Sequence, residues 1–195
     1  MNLREHEGSE SMKVWLSESD TATLLDAAQT TEQRIAFALG ARCGLRSHEI
    51  LQVSPADVID TDAGTMLKVE HGKGDKYRET PVPETLATQI QTIADVRDES
   101  DSTPLISVTT TQSLRNWIKA TRAAVAEQEQ DERWHHVSLH DLRRTWATQL
   151  ASKDVDPLIV CDWGGWNDLE TFLEHYKGVY SPDAQRRERE KVDWL

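Results

Sequence analysis

Arg46, Lys73, His140, Arg143, Trp166 and Tyr176 are spread over most of the chain, each in a distinctive local context. Arg46 lies in Gly44-Leu45-Arg46-Ser47-His48-Glu49-Ile50 and Lys73 in Gly72-Lys73-Gly74-Asp75-Lys76-Tyr77-Arg78. His140 and Arg143 lie in Leu139-His140-Asp141-Leu142-Arg143-Arg144-Thr145, Trp166 follows Gly164-Gly165, and Tyr176 closes Glu174-His175-Tyr176. Together these side chains suit attack on a phosphodiester. Its pentavalent state gathers charge on equatorial oxygens, which planar guanidinium groups match with paired hydrogen bonds. Arg46 and Arg143 could form that clamp. A leaving alkoxide needs a proton, which Lys73 on a glycine-flanked hairpin turn could deliver. On a helix His140 and Arg143 share a face and could address one phosphate. Nothing resembles a serine elbow, a metal-binding carboxylate set or a P-loop, so a tyrosine hydroxyl remains as nucleophile.

The elements that must position these groups are mostly helical. Residues 1–12 are polar and read as a mobile tail. Ser17 with Asp20 forms a capping arrangement ahead of Leu24 and Leu25, and a second helical pattern runs from about Thr31 to Cys43, where Gly44 ends it. Two β-like runs, Asp57–Thr61 and Thr65–Glu70, flank a turn, and a third covers Tyr77–Val82, making a three-stranded meander with Lys73 in its second turn. Beyond Pro83 the periodicity predicts helices near 83–94, 111–129, 139–152, 156–163, 168–178 and 183–192. The fold class is therefore mainly α with a small antiparallel three-stranded β-sheet.

At 195 residues one well-buried domain is expected. No apolar run reaches membrane-spanning length and the N-terminus lacks the apolar core of a signal peptide, so a cytoplasmic location away from membranes is expected. Cys43 and Cys161 form no CxxC pair, and His135, His136 and Cys161 lack the spacing of a metal site, so no disulfide, metal or cofactor is expected. The formal charge of -12 has the wrong sign for a nucleic-acid surface, but the basic residues cluster. Arg42, Arg46, Lys68, Lys73, Lys76 and Arg78 form one group, and Arg133, His140, Arg143 and Arg144 belong to another, while acids crowd into 95–101 and 127–132. A basic cleft on an acidic body fits. Only 8 of the 22 basic residues are lysine, which with the abundant acids suggests a halophilic surface.

Taken singly, each motif has an ordinary structural explanation: an arginine pairing with a nearby carboxylate, a solvated turn, a capped helix start, a packed aromatic. In this order they resemble the catalytic domain of the tyrosine recombinase (phage integrase) family, over about residues 15–185. The resemblance implies that Arg46 is the first catalytic arginine, Lys73 the general acid toward the 5′ oxygen, and His140 with Arg143 the His-x-x-Arg pair. It makes Trp166 an indole N–H donor to the phosphate, in a place usually held by histidine, Tyr176 the nucleophile, and Glu49 a carboxylate steadying the basic groups. Trp166 and Tyr176 are ten residues apart, one more than is usual in the family, and His175 falls in the customary slot. Tyr180 is therefore the second candidate.

The implied reaction cuts one strand to a 3′-phosphotyrosyl link with a free 5′-hydroxyl, then rejoins it to a partner strand without metal or ATP. Arg42, Lys76, Arg78 and Arg144 are expected to contact DNA. Residues 13–195 would be one catalytic domain, with no helical core-binding domain upstream. Its expected partners are double-stranded DNA, further copies assembled on the site with the tail Val192-Asp193-Trp194-Leu195 docking on a neighbour, and an accessory protein supplying a clamp. A regulatory remnant that binds DNA without cutting and a type IB topoisomerase-like relaxase are the alternatives.

Overall fold

The computed structural model describes residues 1–5, 12–70, 77–97, 100–176 and 182–194. Part of the expected N-terminal tail is a strand. β1 (Asn2–Glu5) pairs antiparallel with β2 (Met12–Trp15), Asn2 opposite Trp15 and Glu5 opposite Met12. This ribbon is a second small sheet beside the expected meander. Its own pattern is too short and polar to announce it; its anchors lie far along the chain. The Val14 amide donates to Asp141 Oδ1 (3.0 Å) and the Leu16 amide to Thr145 Oγ1 (3.0 Å), while Val14 and Leu16 enter the core.

Ser17 and Asp20 close a capping box at the start of α1 (Glu18–Asp26), satisfying donors that a first helical turn leaves open. Thr30 caps α2 (Thr31–Cys43), and Gly44 ends it in the left-handed conformation at φ +68°. Residues Ile35–Ala41 of α2 are buried with almost no polar face, as befits a helix through the middle of a domain. α3 (Ser47–Ile50) is a single turn. The meander follows as β3 (Val58–Thr61), β4 (Gly64–Val69) and β5 (Arg78–Pro81), antiparallel in that order, with Val58 opposite Leu67 and Val69 opposite Arg78.

The remaining helices lie close to their expected spans: α4 (Glu84–Arg97), α5 (Thr111–Glu129), α6 (Leu139–Ser152), α7 (Pro157–Gly164), α8 (Leu169–Tyr176) and α9 (Pro182–Glu190). α6 packs on α2, where a Cβ on Gly40 would lie 3.3 Å from Leu142 Cβ. The main core draws on β2, α1–α6 and the meander; a smaller one, Trp146, Ala147, Val160, Cys161 and Phe172, joins α6, α7 and α8. Among the described residues no helix is long and apolar enough to cross a membrane.

Candidate active site

The C-terminal end of α7 organises the site. A helix end leaves carbonyls without intrahelical partners and carries the negative end of the helix dipole, so it attracts cations. Here three consecutive carbonyls each accept from a different arginine. Trp163 O accepts from Arg78 Nε (2.9 Å), Gly164 O from Arg143 Nη2 (2.6 Å) and Gly165 O from Arg46 Nη2 (3.1 Å). Residues remote in sequence are thereby set side by side.

The two glycines make this end accessible. Gly165 caps α7 at φ +63°, a conformation that side chains rarely adopt, and a Cβ there would lie 2.8 Å from Arg78 Cδ. A Cβ on Gly164 would overlap the Trp166 ring. Gly44 has a matching role at the end of α2: its carbonyl accepts from Arg143 Nη1, and a Cβ would strike the Trp146 ring.

Glu49 ties two of the arginines together. Its Oε2 accepts from the Arg46 amide (2.7 Å) and Arg78 Nη2 (2.7 Å), and its Oε1 from Arg46 Nη1 (2.9 Å) and Arg78 Nη1 (2.9 Å). The residue is 2% exposed. Burial opposes its charge, but the hydrogen bonds and charge of Arg78, with the amide and charge of Arg46, win and hold the carboxyl down at about 2. Three guanidinium groups against this one carboxylate leave a net charge of +2, the right sign for a phosphate.

Arg143 is 3% exposed, and among the described residues no carboxylate lies within ion-pair distance of it. Burial, with the repulsion of Arg46 and Arg78, pushes its pKa down from the ordinary guanidinium value, though not far enough to lose the charge at neutral pH. Its cation lies 4.1 Å from the Trp166 ring centroid, a desolvated cation–π contact. Trp166 in turn stacks with Trp146 (6.2 Å, 8°) and meets Phe172 edge-on (4.9 Å, 69°). Its ring face is thus engaged by Arg143. Arg46, with a side chain 20% exposed, opens further to solvent. Arg46 and Arg143 each place two of their five N–H donors on the protein groups named.

His140 sits in the first turn of α6, one turn before Arg143, and is exposed. Tyr176 ends α8; its side chain lies outside the described residues, as do Lys73, Lys76 and Tyr180. Two arginines expected on a DNA-facing surface are placed otherwise. Arg78 is 7% exposed and braces Glu49, and Arg144 is 8% exposed, paired with Asp141 and lying over Trp15. A buried cation is kept only with partners, and both have them within the fold. Arg42 donates to Glu18 at the surface. Among the described residues no group of three or more His, Cys, Asp or Glu is placed to hold a metal.

The brace of Arg78 did carry a signal in the sequence. Arg78 and Thr80 in β5, and Val82 just after it, alternate and are all buried, so the strand's period of two turns the arginine inward.

This fold is similar to that of integrase catalytic domains. The chain belongs to the phage integrase family, whose model matches residues 14–181. Similar solved structures include XerA recombinase, at 22% identity and a TM-score of 0.72 over 91% of this chain and 64% of that one. The Tn1549 transposon integrase in complex with transposon right-end DNA matches at 16% identity and 0.67, over 95% and 67%. The catalytic domain of bacteriophage HP1 integrase matches at 17% and 0.62, over 93% and 96%. The chain thus spans about two thirds of the length of XerA recombinase and nearly all of the isolated HP1 domain. No curated protein sequence matches it.

Proposed function

We propose that this chain is the strand-cleaving and strand-joining domain of a site-specific tyrosine recombinase. The observation that carries the reading is the row of three arginines on consecutive carbonyls at the end of α7, with net positive charge, in a chain of the phage integrase family. The Tn1549 integrase was solved on its transposon-end DNA, which supports double-stranded DNA as the substrate class.

In this mechanism a scissile phosphate sits against Arg46, the more exposed of the two arginines, with the buried Arg143 charge behind it, and both charges offset that gathering on the non-bridging oxygens. Tyr176 Oη, releasing its proton to solvent, attacks phosphorus as the bond to the 5′ oxygen breaks. Lys73 gives that oxygen a proton, leaving a 3′-phosphotyrosyl link and a 5′-hydroxyl. His140 and the Trp166 indole N–H donate to the phosphate, and the Trp166 ring face also holds Arg143 in place. Attack by the 5′-hydroxyl of a partner strand reverses these steps and releases the tyrosine. Assembly of several copies on DNA, tail exchange and a clamp-supplying accessory protein belong to the same proposal, as does a halophilic surface.

The test is formation of an SDS-resistant adduct on nicked duplexes tiled across the DNA flanking the gene, over a range of KCl. Wild type should give an adduct and Tyr176→Phe none, with DNA binding retained. Binding by both proteins with no adduct from either would identify a DNA-binding remnant. Relaxation of supercoils without joining of two sites would identify a relaxase.

A further inference from the structure

Arg78 is a buried cation that the mechanism above does not use. It lies on β5 and reaches two other segments at once: both oxygens of Glu49 in α3, and Trp163 O at the end of α7. Glu49 also holds Arg46, and the carbonyl that follows Trp163 O holds Arg143. Glu49 Oε1 accepts from Arg78 Nη1 and Arg46 Nη1 at the same 2.9 Å, and the carbonyl next to Trp163 O, Gly164 O, accepts from Arg143. The Gly165 backbone presses so closely that a Cβ would lie 2.8 Å from Arg78 Cδ.

We infer that Arg78 is a positioning residue for the proposed reaction, fixing the Arg46 guanidinium through Glu49 and the Arg143 guanidinium through the end of α7 without touching DNA. The inference rests on the functional reading above. Its chemistry is specific to arginine. A planar fork can meet both carboxylate oxygens while its Nε–H bonds a third group, whereas a lysine ammonium is a point donor on a flexible stem and cannot span all three. If the sole task were to hold β5 against α3, an apolar contact would avoid the desolvation that a buried ion pair incurs. With Arg78 shortened, Glu49 follows Arg46 alone, and both arginines lose the fixed frame that a phosphoryl-transfer geometry needs. A displacement of about 1 Å in such a frame is enough for a loss of about 100-fold in rate.

The experiment compares wild type, Arg78→Lys and Arg78→Met in single-turnover cleavage of nicked duplexes at saturating protein, with the folded fraction of each taken from a thermal melt. The positioning role predicts a rate per folded molecule lower by about 100-fold in both variants, with DNA affinity within about threefold of wild type. It also predicts that the acid limb of the rate–pH profile moves upward, because Glu49 loses the partner that keeps its carboxyl ionised. Unchanged rates per folded molecule, with only a lower melting temperature, would overturn it. Absence of adduct from folded wild type would overturn the functional reading instead. Arg78 is then decided by calorimetric binding of inorganic phosphate: a loss of about tenfold in Arg78→Lys supports positioning, and equal affinity refutes it.

Discussion

In Glu49→Gln the side-chain carbonyl can still accept from the Arg46 amide, but the amide nitrogen that replaces the second oxygen turns an N–H toward a guanidinium. Arg78, with a side chain 5% exposed, then has no counter-charge, and the cluster of three arginines rises from +2 to +3. Linkage gives the size of the effect. The Glu49 carboxyl moves from an ordinary 4.5 to about 2 on folding, which at 1.36 kcal/mol per unit corresponds to about 3 kcal/mol. Loss of one partner from a buried ion pair costs about 3–5 kcal/mol, in agreement. The sign is fixed because the folded value is the lower one: the contribution is full above pH 4.5, falls with pH, and is gone below about 2. Urea unfolding of wild type and Glu49→Gln should therefore differ by about 3 kcal/mol at pH 7 and by roughly half of that at pH 3. At neutral pH the melting temperature should fall by about 6–12 °C. A gap below about 1 kcal/mol at pH 7, or one of constant size from pH 7 to pH 3, would refute the ion-pair argument.

Gly165→Ala should lower stability by about 2–3 kcal/mol, since its left-handed φ is strained for alanine and its methyl group meets Arg78; urea unfolding measures it. Asp141→Ala frees the Val14 amide and strands the buried Arg144 charge, so stability should drop by about 3–5 kcal/mol. Amide exchange at Val14 and Leu16 should then accelerate more than that at Leu39 in α2, and equal acceleration would contradict the docking of β2 on α6. Burial pushes the Cys43 thiol up to about 12, so at pH 8 it should react with a disulfide reagent only as fast as the domain opens, with a rate that rises in urea. Rapid labelling of the native protein at this position would contradict its place in the core.

Much of the fold could be read locally because local rules decide it. Ser17 with Asp20, Thr30, Gly44 and Ser138 with Asp141 punctuate helices whose bounds follow from capping, and the meander follows from turn chemistry around Ala63-Gly64. The β1–β2 ribbon was hidden because its anchors, Asp141 and Thr145, sit on a helix more than a hundred residues away. At the site, the juxtaposition of Arg46 and Arg143 was legible from motif order, whereas the +2 charge depends on Arg78 joining them. The way they are held was not legible, since backbone carbonyls at the end of α7 leave no mark of their own beyond the two glycines that expose them. Arg144 shows the same limit. A cluster of basic residues in sequence reads as a surface, and only packing reveals which of them the fold keeps for itself.

Mass mapping of the covalent adduct is the most direct test of the central claim. After cleavage of a nicked duplex and digestion with nuclease and protease, a nucleotide should remain attached by a 3′-phosphate to the peptide that contains Tyr176. That mass shift should vanish in Tyr176→Phe and become undetectable within the same reaction time in Arg46→Ala and Arg143→Ala. Attachment at any other residue, or an adduct that forms at the wild-type rate without either arginine, would contradict the account.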